Sequence, residues 1–329
     1  MLELLGPLTP FLNMSDVTEI CVNRPGEVLV EDGRGWQLVR SNEISFEWAY
    51  SLAIATAAFD AKRLSRSMPF LSARLPHGER IQIVIPPACN EEHVAITIRV
   101  PRWERYSMED HARNGLFSVI KQDRGRISDA DCELQRLKDD GDVRGFFEAA
   151  VKARKNIAIV GSTGSGKTTF MKSLCALIES THRIITVEDT HELELDQPNF
   201  AQLFFNEQSG ITSSDCIRSC MRMRPDRVLL GELRGAEAFD FLNIMMTGHS
   251  GSITSFHAES CALAFERFAI LAKGSPDARA YDDEKLKRLA HIAIDVVAHV
   301  ARLGSRRILT ELYFDPQAKR RHLDSALDC

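Results

Sequence analysis

Apolar and polar residues alternate along the first hundred positions with the two-residue period of strands. Thr18 to Asn23, Glu27 to Glu31 and Trp36 to Val39 follow that pattern, with a turn at Arg24-Pro25-Gly26 and another at Asp32-Gly33. They predict short antiparallel strands. From Ser45 to Lys62 the period lengthens: Phe46, Tyr50, Leu52, Ala53, Ala57 and Phe59 recur at near-helical spacing, with Asn42 or Ser45 as cap, which predicts a helix packed on that sheet. Arg74 to Arg80 reads as a turn between two further strands, Ile81–Ile85 and Val94–Arg99. Residues 1–101 are thus expected to form a mixed α/β domain.

Between 102 and 141 the pattern loses its apolar positions. Trp103 to His111, Lys121 to Arg126 and Asp129 to Gly141 are polar and charged, and predict a solvated helix-and-loop connector, a binding arm being the other reading. Strand-like and helix-like runs then alternate through 142–329. A helix over Phe146–Lys155 precedes the strand Ile157–Val160, and a helix runs from Phe170 to Ile178. Strand Arg183–Val187, helix Ser213–Met223, strand Arg227–Leu230, helix Ala236–Gly248 and strand Ser252–His257 follow. Such order predicts a mainly parallel sheet with helices on both faces and the ligand beyond the carboxyl ends of its strands. Two apolar runs, Ala293–Arg302 and Arg306–Phe314, flank Leu303-Gly304-Ser305 as a closing hairpin.

Composition narrows the picture. The 329 residues, 44% hydrophobic, suffice for two cores, and a net charge of −5 without a basic run gives no global electrostatic case for nucleic acid. Eight cysteines (21, 89, 132, 175, 216, 220, 261 and 329) lack paired CxxC spacing and read as reduced thiols of a cytoplasmic protein, not as zinc ligands or a disulfide framework. The first ten residues have neither a basic n-region nor a long apolar run, and no window approaches a membrane span. Any membrane association is therefore expected through partners or a surface face.

The candidate chemistry starts at Gly161-Ser162-Thr163-Gly164-Ser165-Gly166-Lys167-Thr168-Thr169, set between a β-branched strand and a helix. A glycine turn before a helix is the plain alternative. The full spacing is that of a P-loop: its glycines let backbone N–H groups converge on phosphate oxygens, Lys167 reaches the β- and γ-phosphates, and the Thr168 hydroxyl is placed for Mg²⁺. Strand ends further on deliver Glu188, then Asp189-Thr190-His191-Glu192, and Glu232. Carboxylates there suit metal organisation and the activation of water, with surface-loop acids as the bland reading, strongest for Glu192. P-loop ATPases ordinarily end the second acidic strand on Asp; here Gly231 stands there, and Glu232 takes the water-activating role. His249 and His257 flank a short strand among glycines and are read as γ-phosphate-sensing or subunit-coupling residues rather than a zinc site.

These segments, with Arg224-Pro-Asp-Arg-Val-Leu-Leu-Gly-Glu-Leu-Arg-Gly235 and Thr247-Gly-His249 through His257-Ala258, resemble the Walker A, Asp box, Walker B and His box of the secretion ATPase superfamily. Val22 to Val28, Ala73 to Arg80 and Ile96 to Arg99 are similar to the N-terminal domain of its VirB-eleven type, the type IV secretion ATPases. The resemblance implies a RecA-like P-loop ATPase domain that binds ATP and Mg²⁺, with Thr168 and Glu188 on the metal and Lys167, Glu188 and Glu232 as the catalytic set. It implies a homo-hexameric ring, cytoplasmic and peripheral to the inner membrane, with ATP between the two domains of each subunit. Other type IV secretion subunits would be its partners, and a secreted protein or DNA–protein complex its substrate. Arg80 and Arg99 would approach the phosphates from the N-terminal domain, and Arg222 and Arg224 would sense phosphate or the neighbouring subunit. The rival readings are a type II secretion or type IV pilus motor, a nucleic-acid-stimulated helicase-like ring, and a non-enzymatic nucleotide-binding scaffold.

Overall fold

A computed structural model describes residues 1–101, 105–119 and 127–327. Trp103 and the Lys121–Arg126 stretch of the expected connector, and Cys329, lie outside them. A short helix α1 (Thr9–Leu12) leads into β1 (Glu19–Val22), β2 (Glu27–Asp32) and β3 (Gly35–Arg40), then α2 (Phe46–Phe59), β4 (Phe70–Arg74), β5 (Arg80–Val84) and β6 (Ala95–Arg99). The six strands form one antiparallel sheet in the order β3-β2-β1-β6-β5-β4. The turn at 75–79 joins β4 to β5, so the strand before it is Phe70–Arg74, which the sequence pattern left unassigned.

Period-two alternation places Ile20, Val22, Ile81, Ile83, Ile96 and Ile98 on one face of this sheet, in a core with Leu52 and Ala53 of α2. The polar side of the same alternation does not meet solvent. Cys21, Gln82, Val84, Ala95 and Thr97 are buried against the second domain. Gln82 Nε2 donates to Ser219 Oγ at 2.9 Å, and the Phe204 N–H donates to the Ala88 carbonyl at 2.9 Å.

After α3 (Met108–Arg113) come α4 (Asp129–Asp139) and α5 (Val143–Lys152). Ser107 and Ser128 cap the two connector helices by accepting from the N–H groups three residues on. Helix α4 is less solvated than the expected connector: Leu134 is buried with Phe146 and Phe147 of α5, Asp131 pairs with Lys155 at 2.5 Å, and Lys138 Nζ donates to the Phe314 carbonyl at 2.9 Å. One apolar residue per turn was enough to fasten it to the second domain.

That domain carries β7 (Ile157–Val160), α6 (Lys167–Cys175), β8 (Ile184–Glu188), β9 (Phe200–Phe204), α7 (Ser213–Cys220), β10 (Arg227–Leu230), α8 (Glu237–Met246), β11 (Ile253–Phe256), α9 (Cys261–Lys273), α10 (Asp283–Ala293), β12 (Val296–Leu303), β13 (Arg306–Phe314) and α11 (Pro316–Leu327). Its sheet runs β13-β12-β7-β11-β10-β8-β9, parallel except for β13. The expected parallel architecture is present, with β9 and the α9–α10 pair added. Among the described residues no helix is long and apolar enough to cross a membrane. Six cysteines (Cys21, Cys89, Cys175, Cys216, Cys220 and Cys261) are buried free thiols, and Cys132 is exposed.

Candidate active site

Strand β7 is buried throughout and ends at the loop 161–166, which turns directly into α6. Gly164 and Gly166 sit at φ 73° and 99°, backbone that favours glycine. No side chain caps α6, so the N–H groups of its first turn face outward unclaimed. Lys167, only 8% exposed, turns its amine back onto the Gly161 and Ser162 carbonyls at 3.0 and 3.2 Å, with His257 Nδ1 at 3.4 Å. Burial depresses the lysine's pKa, partly opposed by Glu232. Ser165 Oγ is buried without a hydrogen-bond partner.

Parallel pairing of β7, β11, β10 and β8 brings their carboxyl ends to this loop, and a cavity of about 600 Å³ opens there. It is lined by Thr163 to Thr169, by Glu188 at the end of β8 and Asp189 and Glu192 after it, by Glu232 and Arg234 after β10, by His257 after β11, and by Arg307 from β13. Glu232 accepts from Arg234 Nε at 2.6 Å and faces His257 Nε2 at 3.1 Å. Arg234 also pairs with Asp189 at 2.6 Å, so one guanidinium ties the ends of β8 and β10 together. Glu188 is held differently. Its Oε1 accepts from the Thr186 hydroxyl at 2.7 Å, and its Oε2 from the N–H groups of Glu192 and Leu193 at 2.9 and 2.7 Å.

The residues fit a polyphosphate: a buried cation resting on carbonyls, an uncapped helix start and an orphaned hydroxyl are donors suited to anionic oxygens. For a divalent ion the oxygen donors at hand are the Thr168 hydroxyl and the carboxylates of Glu188 and Glu232. No group of three or more His, Cys, Asp or Glu among the described residues forms a metal cluster by itself.

Arg80, Arg99 and His249 do not line this cavity in their own chain, and every residue that does belongs to the second domain. The three line a second pocket, about 920 Å³, where β1, β4, β5 and β6 meet the segment after α7, together with Glu19, Lys62, Arg74, Arg222 and Arg224. Arg224 bridges the domains through Glu31 at 2.5 Å and Asp226 at 2.8 Å. His249, at the amino end of β11, has a buried Nδ1 without a partner and a pKa lowered by burial and then by Arg224 and Arg154. The reason is strand direction. His249 and His257 bracket β11, so one sheet crossing separates them, and only His257 reaches the carboxyl edge.

The sequence reading holds Arg234 only as part of the Walker B stretch, without a role, and does not single out Arg307. Arg234 stands two residues after Glu232, and an Arg after an acidic strand end is a usable signal; Arg307 has none, since only the hairpin's register carries it to the loop.

A family model described as "Type II/IV secretion system protein" matches residues 2–277. The type IV secretion system protein VirB11 of Brucella suis is 43% identical over 326 residues, covering 96% of this chain and 90% of that protein. The type IV secretion system protein PtlH homolog of Bordetella bronchiseptica is 36% identical, covering 94% of each. The crystal structure of the VirB11 ATPase from the Brucella suis type IV secretion system, in complex with sulphate, superposes with a TM-score of 0.94 at 42% identity, over 98% of this chain and 96% of that one.

Proposed function

We infer the function from the premise that the chain belongs to the type II/IV secretion system protein family, and within it stands beside the VirB11 ATPases: it is an ATP hydrolase that powers a type IV secretion system. The observation that carries this is the buried Lys167 at an uncapped helix start, facing the Glu232–His257 pair across one cavity.

Loop 161–166 and the first turn of α6 take the phosphate chain, and Lys167 exchanges the Gly161 and Ser162 carbonyls for β- and γ-phosphate oxygens. The Thr168 hydroxyl and Glu188 would hold magnesium, which would supply neutralisation of phosphate charge. Glu232 accepts the proton of the attacking water while Arg234 and His257 fix its carboxylate. Glu188, whose oxygens hold the 192–193 backbone, keeps the loop after β8 in place. The γ-phosphate and the water then face His257, which reports on them to β11.

Arg80, Arg99, Arg222, Arg224 and His249, gathered away from their own P-loop, serve a neighbouring subunit's nucleotide in a homo-hexamer. An arginine-lined pocket with few anionic partners supports that reading. The ring works on the cytoplasmic face of the inner membrane with other secretion subunits, moving a protein or DNA–protein substrate. Purified protein should hydrolyse Mg·ATP and form hexamers with a non-hydrolysable analogue in analytical ultracentrifugation. Lys167→Ala should cut turnover at least about a hundredfold while circular dichroism stays unchanged; a rate within a few-fold of wild type removes the P-loop assignment.

A further inference from the structure

The β12–β13 hairpin stands on the flank of β7 opposite β11, β10 and β8, away from Glu232, His257 and Glu188. Strand β12 pairs with β7 from Val296↔Ile157 to His299↔Val160, and the Val300 carbonyl then crowds Gly161, where an added Cβ would strike it. At that point the register of the hairpin slips: His299 faces Glu311, but Val300 faces Leu309. A bulge of this kind bends and re-aims the strand that carries it, and bulges concentrate beside active sites. Beyond it Arg307, opposite Arg302, turns over the P-loop. Its Cδ lies 2.5 Å from where a Cβ on Gly166 would stand. The loop's last glycine is thus required twice, by its φ and by the arginine stem resting on it.

Three cations line the cavity. Arg234 is spent on Glu232 and Asp189, and Lys167 rests on two carbonyls. Arg307 is exposed and makes no ion pair or hydrogen bond among the described residues, although four carboxylates line the same space. We propose that Arg307 is a phosphate-binding residue of this site, closing its guanidinium on the diphosphate common to ATP and ADP from the flank opposite the acidic strand ends. The inference rests on the nucleotide reading above. A planar guanidinium suits two phosphate oxygens at once, where a lysine meets them as a point charge.

The test is binding of a fluorescent ADP analogue to the full chain, with ATP turnover measured in parallel. Arg307→Ala should weaken ADP about tenfold or more, raise KM for ATP comparably, and lower kcat less. Arg307→Lys should recover part of the affinity, and Arg306→Ala, on the opposite strand face, should change nothing. An ADP affinity within about twofold of wild type in Arg307→Ala, or an equal loss in Arg306→Ala, overturns the proposal. Lys167→Ala separates the two levels: if it too binds ADP at wild-type strength, the nucleotide reading itself fails, whereas its loss beside an intact Arg307→Ala condemns only the role of Arg307.

Discussion

The two cavities sit at opposite ends of β11 and are built from different materials. The P-loop cavity is made of backbone: a glycine loop, a helix start and the carboxyl ends of parallel strands, with Arg234 and the 192–193 amides already neutralising its carboxylates. The second pocket is made of side chains from two domains, with Lys62, Arg74, Arg80, Arg99, Arg222 and Arg224 outnumbering Glu19 and Asp60. Backbone sites are complete once the local chain folds. A side-chain site assembled at a seam depends on how the domains dock, and its surplus charge calls for an anion from outside.

If the first cavity alone holds the water-activating base, Glu232→Gln should break the comparison most. The amide keeps the shape and a hydrogen bond to His257 but takes no proton, so kcat should fall by about two to four orders of magnitude. Nucleotide affinity and thermal stability should hold, measured by titration and by the melting curve. Lost binding with a residual pH-independent rate would move the base to Glu188.

The same difference in material explains what the chain discloses. The P-loop, Glu188, Glu232 and His257 were legible because motif, strand and strand end are contiguous in sequence, and parallel pairing brings such ends together. The alternation of β1, β5 and β6 marks the strands but not what covers their second face: Thr97 and Gln82 are each under 4% exposed at the seam. Strand β9 sits in Phe200-Ala-Gln-Leu-Phe204, a short run whose pairing with β8 no local pattern announces. Arg80, Arg99 and His249 meet in one pocket because of how the two domains dock, which the sequence does not encode locally. Arg183 is a further case. It opens a strand, where a charge ordinarily reaches water, and is instead wholly buried.

Arg183 is where the seam can be broken without touching either cavity. Its Nε donates to the Met223 carbonyl at 2.7 Å, and its terminal nitrogens to Asn23, Asn199 and Thr97 at 2.9, 2.6 and 3.1 Å, joining the two domains. Arg183→Met fills most of the volume but orphans the Met223 carbonyl and Asn23 Oδ1 and takes one of two donors from Asn199 and Thr97, at a cost of about 3 kcal/mol or more. Urea unfolding should show that loss. A change below about 1 kcal/mol would mean the seam is held by its apolar contacts, Val84, Ala88 and Ala95 against the second core.

The smallest effect separates the cavities by pH. Glu19 is buried in the wall of the second pocket, and its pKa is raised to about 7 by desolvation, which outweighs Arg99 at 3.8 Å and is reinforced by Glu31. Unfolded, the same carboxyl titrates near 4.5. Between those values the unfolded chain has released its proton and the folded chain still holds it, so the folded state binds more protons and stability falls as pH rises. The contribution is therefore complete below the unfolded value and gone above about 7. Glu19→Gln, which mimics the protonated form at every pH, should gain stability relative to wild type across this window, by on the order of 1–2 kcal/mol at its upper end. Unfolding free energies at both ends of the window decide it: a wild-type minus variant difference that stays flat with pH would place Glu19 in a solvated, ionised state paired with Arg99, and the second pocket would then be less cationic than its side chains suggest.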